Sequence, residues 1–247
     1  MSAVPDILPD DVLFPDSDGQ PMADNTEQFR WIVTIKENLE ILFAQDPLVF
    51  VAGDLLWYPV RSPLLPPTAP DVLVVFGRPK GRRGSYRQWQ EDNIAPQVVF
   101  EVLSPSNTRT ELERKFQFYE TYGIEEYYIY DPDTFDLRGW QRQGDYLMRL
   151  PQLHGYRSPR LGIQFQTDSG ELQIYRPDGR RFLTPVELNE QFEQEQQRAE
   201  QERQRAEQER QRAEQEYQRA EQERQRAERM AAYLRSLGVD PDNLPST

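Results

Sequence analysis

Apolar side chains recur along the chain with two different spacings, and the spacing changes near residue 186. Before that point, runs of strand length alternate with stretches in which apolar positions repeat every three or four residues, as on one face of a helix. After it, only one position in seven is apolar. The predicted elements before this change are helices over 26–44 and 108–122 and strands over 48–52, 55–58, 72–76, 98–103, 126–130, 137–141, 146–150 and 172–175.

Local signals set the ends of these elements. Thr26 is expected to cap the first helix, and Thr108 with Glu111 forms a capping-box pattern at the start of the second. Gly53-Asp54 is typical of a hairpin turn between the first two strands. The order helix, strands, helix, strands predicts an α+β fold with a mixed β-sheet flanked by helices. The apolar stripe of the first helix comprises Phe29, Ile32, Val33, Leu39, Leu42 and Phe43.

The two ends of the chain differ from this central part. Residues 1–25 are rich in Pro and Asp without periodicity, which predicts an extended N-terminal arm. From Ala199 the unit AEQERQR recurs every seven residues, which predicts a long charged helix over 187–236, followed by a flexible tail over 237–247. A coiled-coil seam uses two larger apolar residues in each heptad, whereas this repeat offers one alanine. A weak oligomerisation helix and a solvated lone helix are both consistent with the repeat.

The net charge of −13 is distributed unevenly along the chain. Residues from 187 onward carry 10 basic and 15 acidic side chains, which leaves a net charge of −8 for the part before them. Because counterion release requires a basic surface, that part would hold nucleic acid only through local contacts. One candidate is the loop 78–87, where Tyr86 and the nearby Trp89 offer stacking faces; a solvated basic loop is the alternative. Its basic residues are Arg78, Lys80, Arg82, Arg83 and Arg87.

Several classes of protein are excluded by what the sequence lacks. Without cysteine there is no disulfide, zinc finger or thiol chemistry. His154 is the one histidine, which argues against histidine dyads and multi-histidine metal sites. No apolar run approaches the length of a membrane span, and the first residues are acidic rather than a basic leader. We therefore expect a cytoplasmic protein that does not enter a membrane.

Two carboxylates stand at strands that should be buried. Glu101 interrupts the apolar run QVVFEVL, and continuous apolar character argues for a strand buried on both faces. A buried carboxylate needs a cation, a positive side chain or a proton to compensate it. Asp71 opens the apolar strand VLVVF. If these strands are antiparallel neighbours, the two carboxylates approach each other and form a hard oxygen site suited to Mg²⁺.

Lys115 provides a third, independent signal. It lies within the apolar stripe that Leu112, Phe116 and Tyr119 define on the second helix. Its ammonium would then point towards the sheet that carries Glu101. A lysine that packs its stem and leaves its amine in water is the alternative for this residue taken alone.

Three segments of the chain carry a family resemblance: APDVLVVFG, QVVFEVLSPSN and ELERKFQFYETYGIEEYYIYDPD. They resemble the Uma-two family of restriction endonuclease-like proteins, a branch of the PD-(D/E)XK nuclease superfamily, over most of residues 25–185. The block from Gln97 to Asp133 is the most specific part. The resemblance implies a restriction-endonuclease-like, nuclease-type domain over residues 26–186.

The resemblance also implies an active site. Asp71 and Glu101 would be the metal-binding acids, with the backbone carbonyl of Val102 as a further ligand. The superfamily places a lysine two residues after the second acid, where this chain has Leu103. Lys115 is taken for that role because of its position in the apolar stripe.

The implied activity is that of an endonuclease that hydrolyses phosphodiester bonds with Mg²⁺ or Mn²⁺, and DNA is the expected substrate. Lys115 would position or help deprotonate the attacking water. Arg109, near the start of the second helix, is a further candidate phosphate contact. Glu37 or Glu40 could reach the metal from the first helix, although surface carboxylates are the more common case.

Two rival interpretations use the same residues. In the first, the nuclease fold has lost catalysis and serves as a binding module whose C-terminal helix mediates oligomerisation or partner binding. In the second, the chain is a structural scaffold in which that helix is the working part. Homo-oligomers could form through the nuclease-like domain or through the C-terminal helix.

Overall fold

A mixed β-sheet with a helix on each face positions the residues of interest. The computed structural model describes residues 10–19, 22–168 and 170–238. Its helices are α1 (Asp10–Leu13), α2 (Thr26–Leu42), α3 (Arg109–Thr121) and α4 (Pro185–Ser236), with a 3₁₀ turn at Gln88–Gln90. Its strands are β1 (Val49–Gly53), β2 (Trp57–Tyr58), β3 (Val72–Phe76), β4 (Tyr86–Arg87), β5 (Val98–Val102), β6 (Glu126–Asp131), β7 (Asp136–Gln143), β8 (Tyr146–Arg149), β9 (Gln164–Gln166) and β10 (Gln173–Tyr175).

The main sheet has six strands in the order β1-β3-β5-β6-β7-β8. Strands β5 and β6 run parallel, with α3 as the connection between them, and the other neighbouring pairs of this sheet are antiparallel. A parallel pair needs such a crossover, whereas β6, β7 and β8 follow one another through tight turns. The predicted α+β fold with a mixed sheet and flanking helices is confirmed.

Alternation along the strands divides the core between the two faces of the sheet. On one face, Ile35 and Leu39 of α2 belong to the same cluster as Val72 and Phe100. On the other face, Tyr119 of α3 belongs to the cluster that contains Leu73, Val99 and Tyr127. The run from Tyr127 to Tyr130 is buried throughout, so the prediction that it forms strand core is confirmed.

The register of β3 and β5 brings two acidic residues together. Val72 lies opposite Phe100, and Leu73 lies opposite Val99. Continuing this antiparallel register by one residue places Asp71 opposite Glu101. By the same alternation, both carboxylates belong to the face that α3 covers.

Two details of α2 were predicted wrongly. The residue that caps it is Asn25, whose side chain accepts a hydrogen bond from the Gln28 backbone N–H, rather than Thr26. Phe29 was assigned to the buried stripe but is exposed. The predicted stripe is too broad, because only the side of the helix that carries Ile32, Ile35 and Leu39 faces the sheet.

The predicted hairpin at Gly53-Asp54 is also wrong. Strand β1 pairs with β3, and β2 pairs in parallel with β4 in a separate two-stranded sheet. The backbone N–H of Asp54 donates to the carbonyl of Asp71 at 3.2 Å, which continues the alignment with β3 instead of turning the chain back.

The start of the described chain is more ordered than an extended arm. Asp10–Leu13 forms a short helix, and Phe14 after it is buried against Tyr58 and Trp89. Residues 1–9, 20 and 21 of the predicted arm lie outside the described residues. The apolar residues of this Pro- and Asp-rich segment have no regular spacing, so the burial of Phe14 left no pattern to detect.

The chain divides into two compact units, one ending at Glu187 and one beginning at Leu188. The second consists largely of α4, on which Phe192, Tyr217, Met230 and Tyr233 are exposed. The helix predicted over 187–236 therefore begins two residues earlier than expected. Of the predicted tail, residues 239–247 lie outside the described part. No described helix is long and apolar enough to cross a membrane.

Candidate active site

A cavity of about 330 Å³ opens where β5 ends and α3 begins. It is lined by Asp71 directly before β3, by Glu111, Arg114 and Lys115 of α3, and by Gln28 of α2. Charged and polar side chains dominate this lining, which is unusual beside an apolar core. Its further lining residues include Asp18, Asp24, Asp54, Thr68, Ser106 and Asn107.

Glu101 is held by two side chains of the helix that follows its strand. It is 3% exposed, and its Oε2 accepts a hydrogen bond from the Lys115 ammonium at 2.7 Å. Its Oε1 accepts a hydrogen bond from the Tyr119 hydroxyl at 2.5 Å. Residues 115 and 119 are one helical turn apart, so a single face of α3 presents both donors to the carboxylate. The predicted orientation of Lys115 towards Glu101 is confirmed.

Lys115 remains charged in this setting. Burial alone would lower its pKa, but the carboxylates of Glu101 and Asp71 outweigh this effect and the pKa is raised. The ammonium therefore keeps its proton at neutral pH. It can donate hydrogen bonds and offset negative charge, but it is a poor acceptor for a proton from water.

Asp71 is the less compensated of the two acids. Its Oδ2 accepts a hydrogen bond from the Val102 backbone N–H at 2.6 Å. Burial and the nearby charge of Glu101 raise its pKa well above the ordinary value, against the opposing effects of Lys115 and of that N–H. Two buried carboxylates thus share one ammonium, which leaves the pair short of positive charge.

A third acid, Asp54, is absent from the sequence-based prediction of the site. It lines the cavity, and burial together with the charges of Asp18 and Glu101 raises its pKa. Its backbone has a φ of 49°, a left-handed conformation that aspartate tolerates better than most residues. A polar residue directly after a buried strand is the available signal, but the Gly53-Asp54 pair favours the interpretation as a hairpin turn.

The Val102 carbonyl, predicted as a metal ligand, is hydrogen-bonded within the protein. Gln28 on α2 donates to it from Nε2 at 2.9 Å and accepts from the Asp24 N–H at 2.8 Å. A carbonyl oxygen has a second lone pair, so this bond does not remove it from the candidates. Gln28 was missed because a glutamine on a helix that is half polar carries no distinctive pattern.

The donors present fit a hard cation. The carboxylates of Asp71 and Glu101 could hold it, because they supply oxygen ligands and their shortage of positive charge is what a divalent ion would relieve. Over the described residues, no group of three or more His, Cys, Asp or Glu side chains is arranged to hold a metal. Mg²⁺ is a cation that proteins often bind through one or two carboxylates, with water or phosphate completing the shell.

Comparison with family models gives a match over residues 17–202, to the Uma2 family with the description "Putative restriction endonuclease". This match spans most of the chain and includes Glu101 and every residue that lines the cavity. The chain belongs to the Uma2 family. Membership supports a nuclease role for it. The match also confirms the resemblance inferred from the sequence.

Comparison with solved structures finds similarity to a chain from Anabaena variabilis. Its description is "a putative nuclease belonging to DUF820", and it shares 15% sequence identity with this chain. The similarity covers 57% of this chain and 74% of the other, with a TM-score of 0.43. No curated protein sequence matches the chain.

The predicted basic loop of this Uma2 protein turns most of its arginines inward. Arg78 and Arg83 both pair with Glu91, at 2.8 and 2.7 Å. Arg87 donates to the Phe14 carbonyl at 2.7 Å and pairs with Asp16. Of the remaining basic residues in the loop, Arg82 is exposed and Lys80 is half-buried.

The stacking faces predicted beside that loop are wrong. Tyr86 is fully buried, and its hydroxyl donates to the Ile94 carbonyl at 2.7 Å. Trp89 packs edge-on against Phe14 and Tyr58. Trp89 is part of a hydrophobic cluster here because the segment around Phe14 packs against it.

Other candidates lie apart from the cavity. Arg109 is exposed and pairs with Glu113 on its own helix at 2.8 Å. Glu37 and Glu40 are partly exposed, and both pair with Lys36. These three residues do not line the cavity, so the view of Glu37 and Glu40 as surface carboxylates accords with the structure.

Proposed function

We propose that this Uma2 chain is an endonuclease that hydrolyses phosphodiester bonds, that it depends on Mg²⁺ or Mn²⁺, and that DNA is its substrate. The observation that carries the proposal is that Asp71 and Lys115 line one cavity while the buried Glu101 accepts a hydrogen bond from that same Lys115. Two buried acids with a single ammonium between them are an arrangement that stability alone would not select, because burial of unbalanced charge costs free energy.

Asp71 and Glu101 are the residues that would hold the cation. When bound, a divalent ion would supply an acidified water and offset the charge that develops on the phosphorus oxygens. Tyr119 fixes Glu101 from one oxygen and Lys115 fixes it from the other, so the carboxylate is preorganised.

Lys115 has an electrostatic role in this proposal. Its raised pKa keeps the proton on Nζ, so the ammonium orients a water or a phosphate oxygen and stabilises negative charge there. The sequence-based suggestion that it helps to deprotonate water is the less favoured of its two roles. Proton acceptance then passes to the bulk solvent or to the substrate's own phosphate oxygen.

One observation favours the rival interpretation, a nuclease-fold binding module without catalysis. Both oxygens of Glu101 and one oxygen of Asp71 already accept hydrogen bonds inside the protein. A network closed in this way can serve structure alone. The nuclease function requires that a Glu101 oxygen give up its hydrogen bond to Lys115 or Tyr119 and bind a metal instead. The binding module does not require this exchange.

The test is cleavage of supercoiled plasmid, of single-stranded DNA and of RNA by purified protein with Mg²⁺, Mn²⁺ or a chelator. We expect cleavage by the wild type only with a metal, and its loss in Asp71→Asn, Glu101→Gln and Lys115→Met. The matched control is Glu126→Gln. Glu126 is equally buried in the same sheet but bonds to Ser158 and Tyr128, so its replacement should leave cleavage intact.

A folded wild type that binds no metal and cuts neither DNA nor RNA would sink the nuclease proposal in favour of the binding module. Cleavage of RNA alone would keep the nuclease and overturn DNA as the substrate. Equal loss of cleavage in Glu126→Gln would mean that the acids act through stability.

A further inference from the structure

The cavity has an imbalance of charge that a nucleic-acid substrate must overcome. Five carboxylate residues line it, and only two basic residues do so among the described residues, Arg114 and Lys115. The Lys115 ammonium is occupied by Glu101 at 2.7 Å. A phosphodiester entering the cavity would therefore meet mostly repulsion. The five carboxylate residues are Asp18, Asp24, Asp54, Asp71 and Glu111.

Arg114 differs from the other arginines near the site. Its guanidinium forms no hydrogen bond or ion pair with another residue in the described chain, although it borders the cavity. Arg78 and Arg83 form ion pairs with Glu91, and Arg109 forms an ion pair with Glu113. Even Glu111, one turn before Arg114 on α3, does not pair with it. A guanidinium left unpaired in acidic surroundings is available for a ligand.

We propose that Arg114 binds a phosphate of the nucleic-acid strand in this cavity and so positions the neighbouring phosphodiester beside Asp71 and Glu101. The proposal rests on the proposed function. A guanidinium presents parallel N–H donors that match two oxygens of one phosphate. Arg114 and Lys115 both line this cavity, so a strand held there by Arg114 lies near the buried lysine–glutamate pair.

The experiment measures binding separately from cleavage. A short fluorescent single strand of DNA is titrated with the full chain by anisotropy over a range of salt concentrations, with Ca²⁺ in place of Mg²⁺. We compare the wild type with Arg114→Ala, Arg114→Lys and Arg149→Ala. Arg149 is the matched control, an exposed arginine on β8 at the edge of the sheet and outside the cavity.

We expect Arg114→Ala to weaken binding roughly ten- to hundredfold, the range for hydrogen bonds to a charged group. The slope of log affinity against log salt should fall by roughly 0.7, as for one lost contact to a single strand. A structural role would not change that slope. Arg114→Lys should recover part of the affinity, and Arg149→Ala should behave as the wild type.

Unchanged affinity and unchanged salt slope in Arg114→Ala would overturn the proposal, as would a wild type that does not bind the strand at all. The two proposals fail in different ways. Binding that depends on Arg114 without any cleavage defeats the nuclease and keeps the phosphate contact. Metal-dependent cleavage that Arg114→Ala leaves untouched, at limiting substrate, defeats the phosphate contact and keeps the nuclease.

Discussion

The Lys115 ammonium lies 2.7 Å from Oε2 of Glu101, and the two residues are 14 positions apart in the chain. Glu101 is near the end of β5, and Lys115 is in the second turn of the helix that follows. Both side chains are largely removed from water. The acid is therefore tolerated in the sheet because its own crossover helix brings the compensating charge.

Replacement of Lys115 should show how much the buried carboxylate of Glu101 destabilises the fold when it has no counter-charge. We expect Lys115→Met to lower the free energy of unfolding by about 3–5 kcal/mol at neutral pH, because Glu101 then stays buried without a counter-charge. Denaturant unfolding measures the change. The double variant Lys115→Met/Glu101→Gln should recover much of the loss. An unchanged stability in the single variant would show that the pair contributes nothing.

Substitution by phenylalanine should have different effects on stability at two buried tyrosines on the same side of the sheet. Tyr119→Phe removes the hydroxyl that donates to Glu101, and we expect a loss of about 1.5–3 kcal/mol in the free energy of unfolding. Tyr127 is equally buried, but its hydroxyl has no hydrogen-bond partner among the described residues.

Tyr127→Phe is thus the control, and it should be neutral or stabilising because an unsatisfied buried hydroxyl is removed. Denaturant unfolding of both variants under one set of conditions provides the comparison. Equal losses in the two variants would mean that ring packing, rather than the bond to Glu101, determines the effect.

Acid should weaken the loop that Glu91 organises. Burial alone would raise the pKa of Glu91, but the guanidinium groups of Arg83 and Arg78 lower it below its usual value of 4.5. A carboxylate with a lowered pKa stabilises the fold above its unfolded-state pKa, and that contribution is lost as the pH falls through the folded-state value. We expect Glu91→Gln to be less stable than the wild type at pH 7.

The difference should then shrink as the pH drops below about 4.5 and disappear at lower pH. Unfolding free energies measured for both proteins over a pH series test this. A gap that stays constant with pH would show that the ionisation of Glu91 is not involved.

The contact of the N-terminal segment with the domain is a separate prediction. Phe14 is 1% exposed, between Tyr58 and Trp89. We expect Phe14→Ala to lower the free energy of unfolding by about 3 kcal/mol, the lower part of the range for large apolar residues. Val12→Ala, at a side chain that is 61% exposed, is the control and should have little effect. An unchanged free energy of unfolding in Phe14→Ala would mean that the packing of this segment does not stabilise the domain.

The sequence predicts the central part of the candidate site because each residue breaks a regular pattern. Glu101 interrupts an apolar strand, and Lys115 occupies an apolar stripe; both deviations can be seen without neighbours. The approach of Asp71 followed from one further assumption, that β3 and β5 are antiparallel neighbours, which the structure confirms.

Residues whose partners come from distant parts of the chain could not be predicted in this way. Asp54 lies at the cavity because β1 pairs with β3 rather than with β2. The sequence of a single strand does not show which other strand it pairs with. In the sequence, Arg83 and Arg87 suggest a surface that binds nucleic acid. The structure shows that they form ion pairs with Glu91 and Asp16. Charge clusters in a sequence do not show which charges are already neutralised.

The β5–α3–β6 crossover keeps one acid and its counter-charge within a single continuous stretch of chain. Closing a short loop costs less conformational entropy than closing a long one, so Glu101, Lys115 and Tyr119 can meet early during folding. Asp71 joins them from a separate strand when β3 pairs with β5. Loop entropy therefore favours an order of assembly in which the Lys115 ammonium is in place before the two carboxylates approach each other.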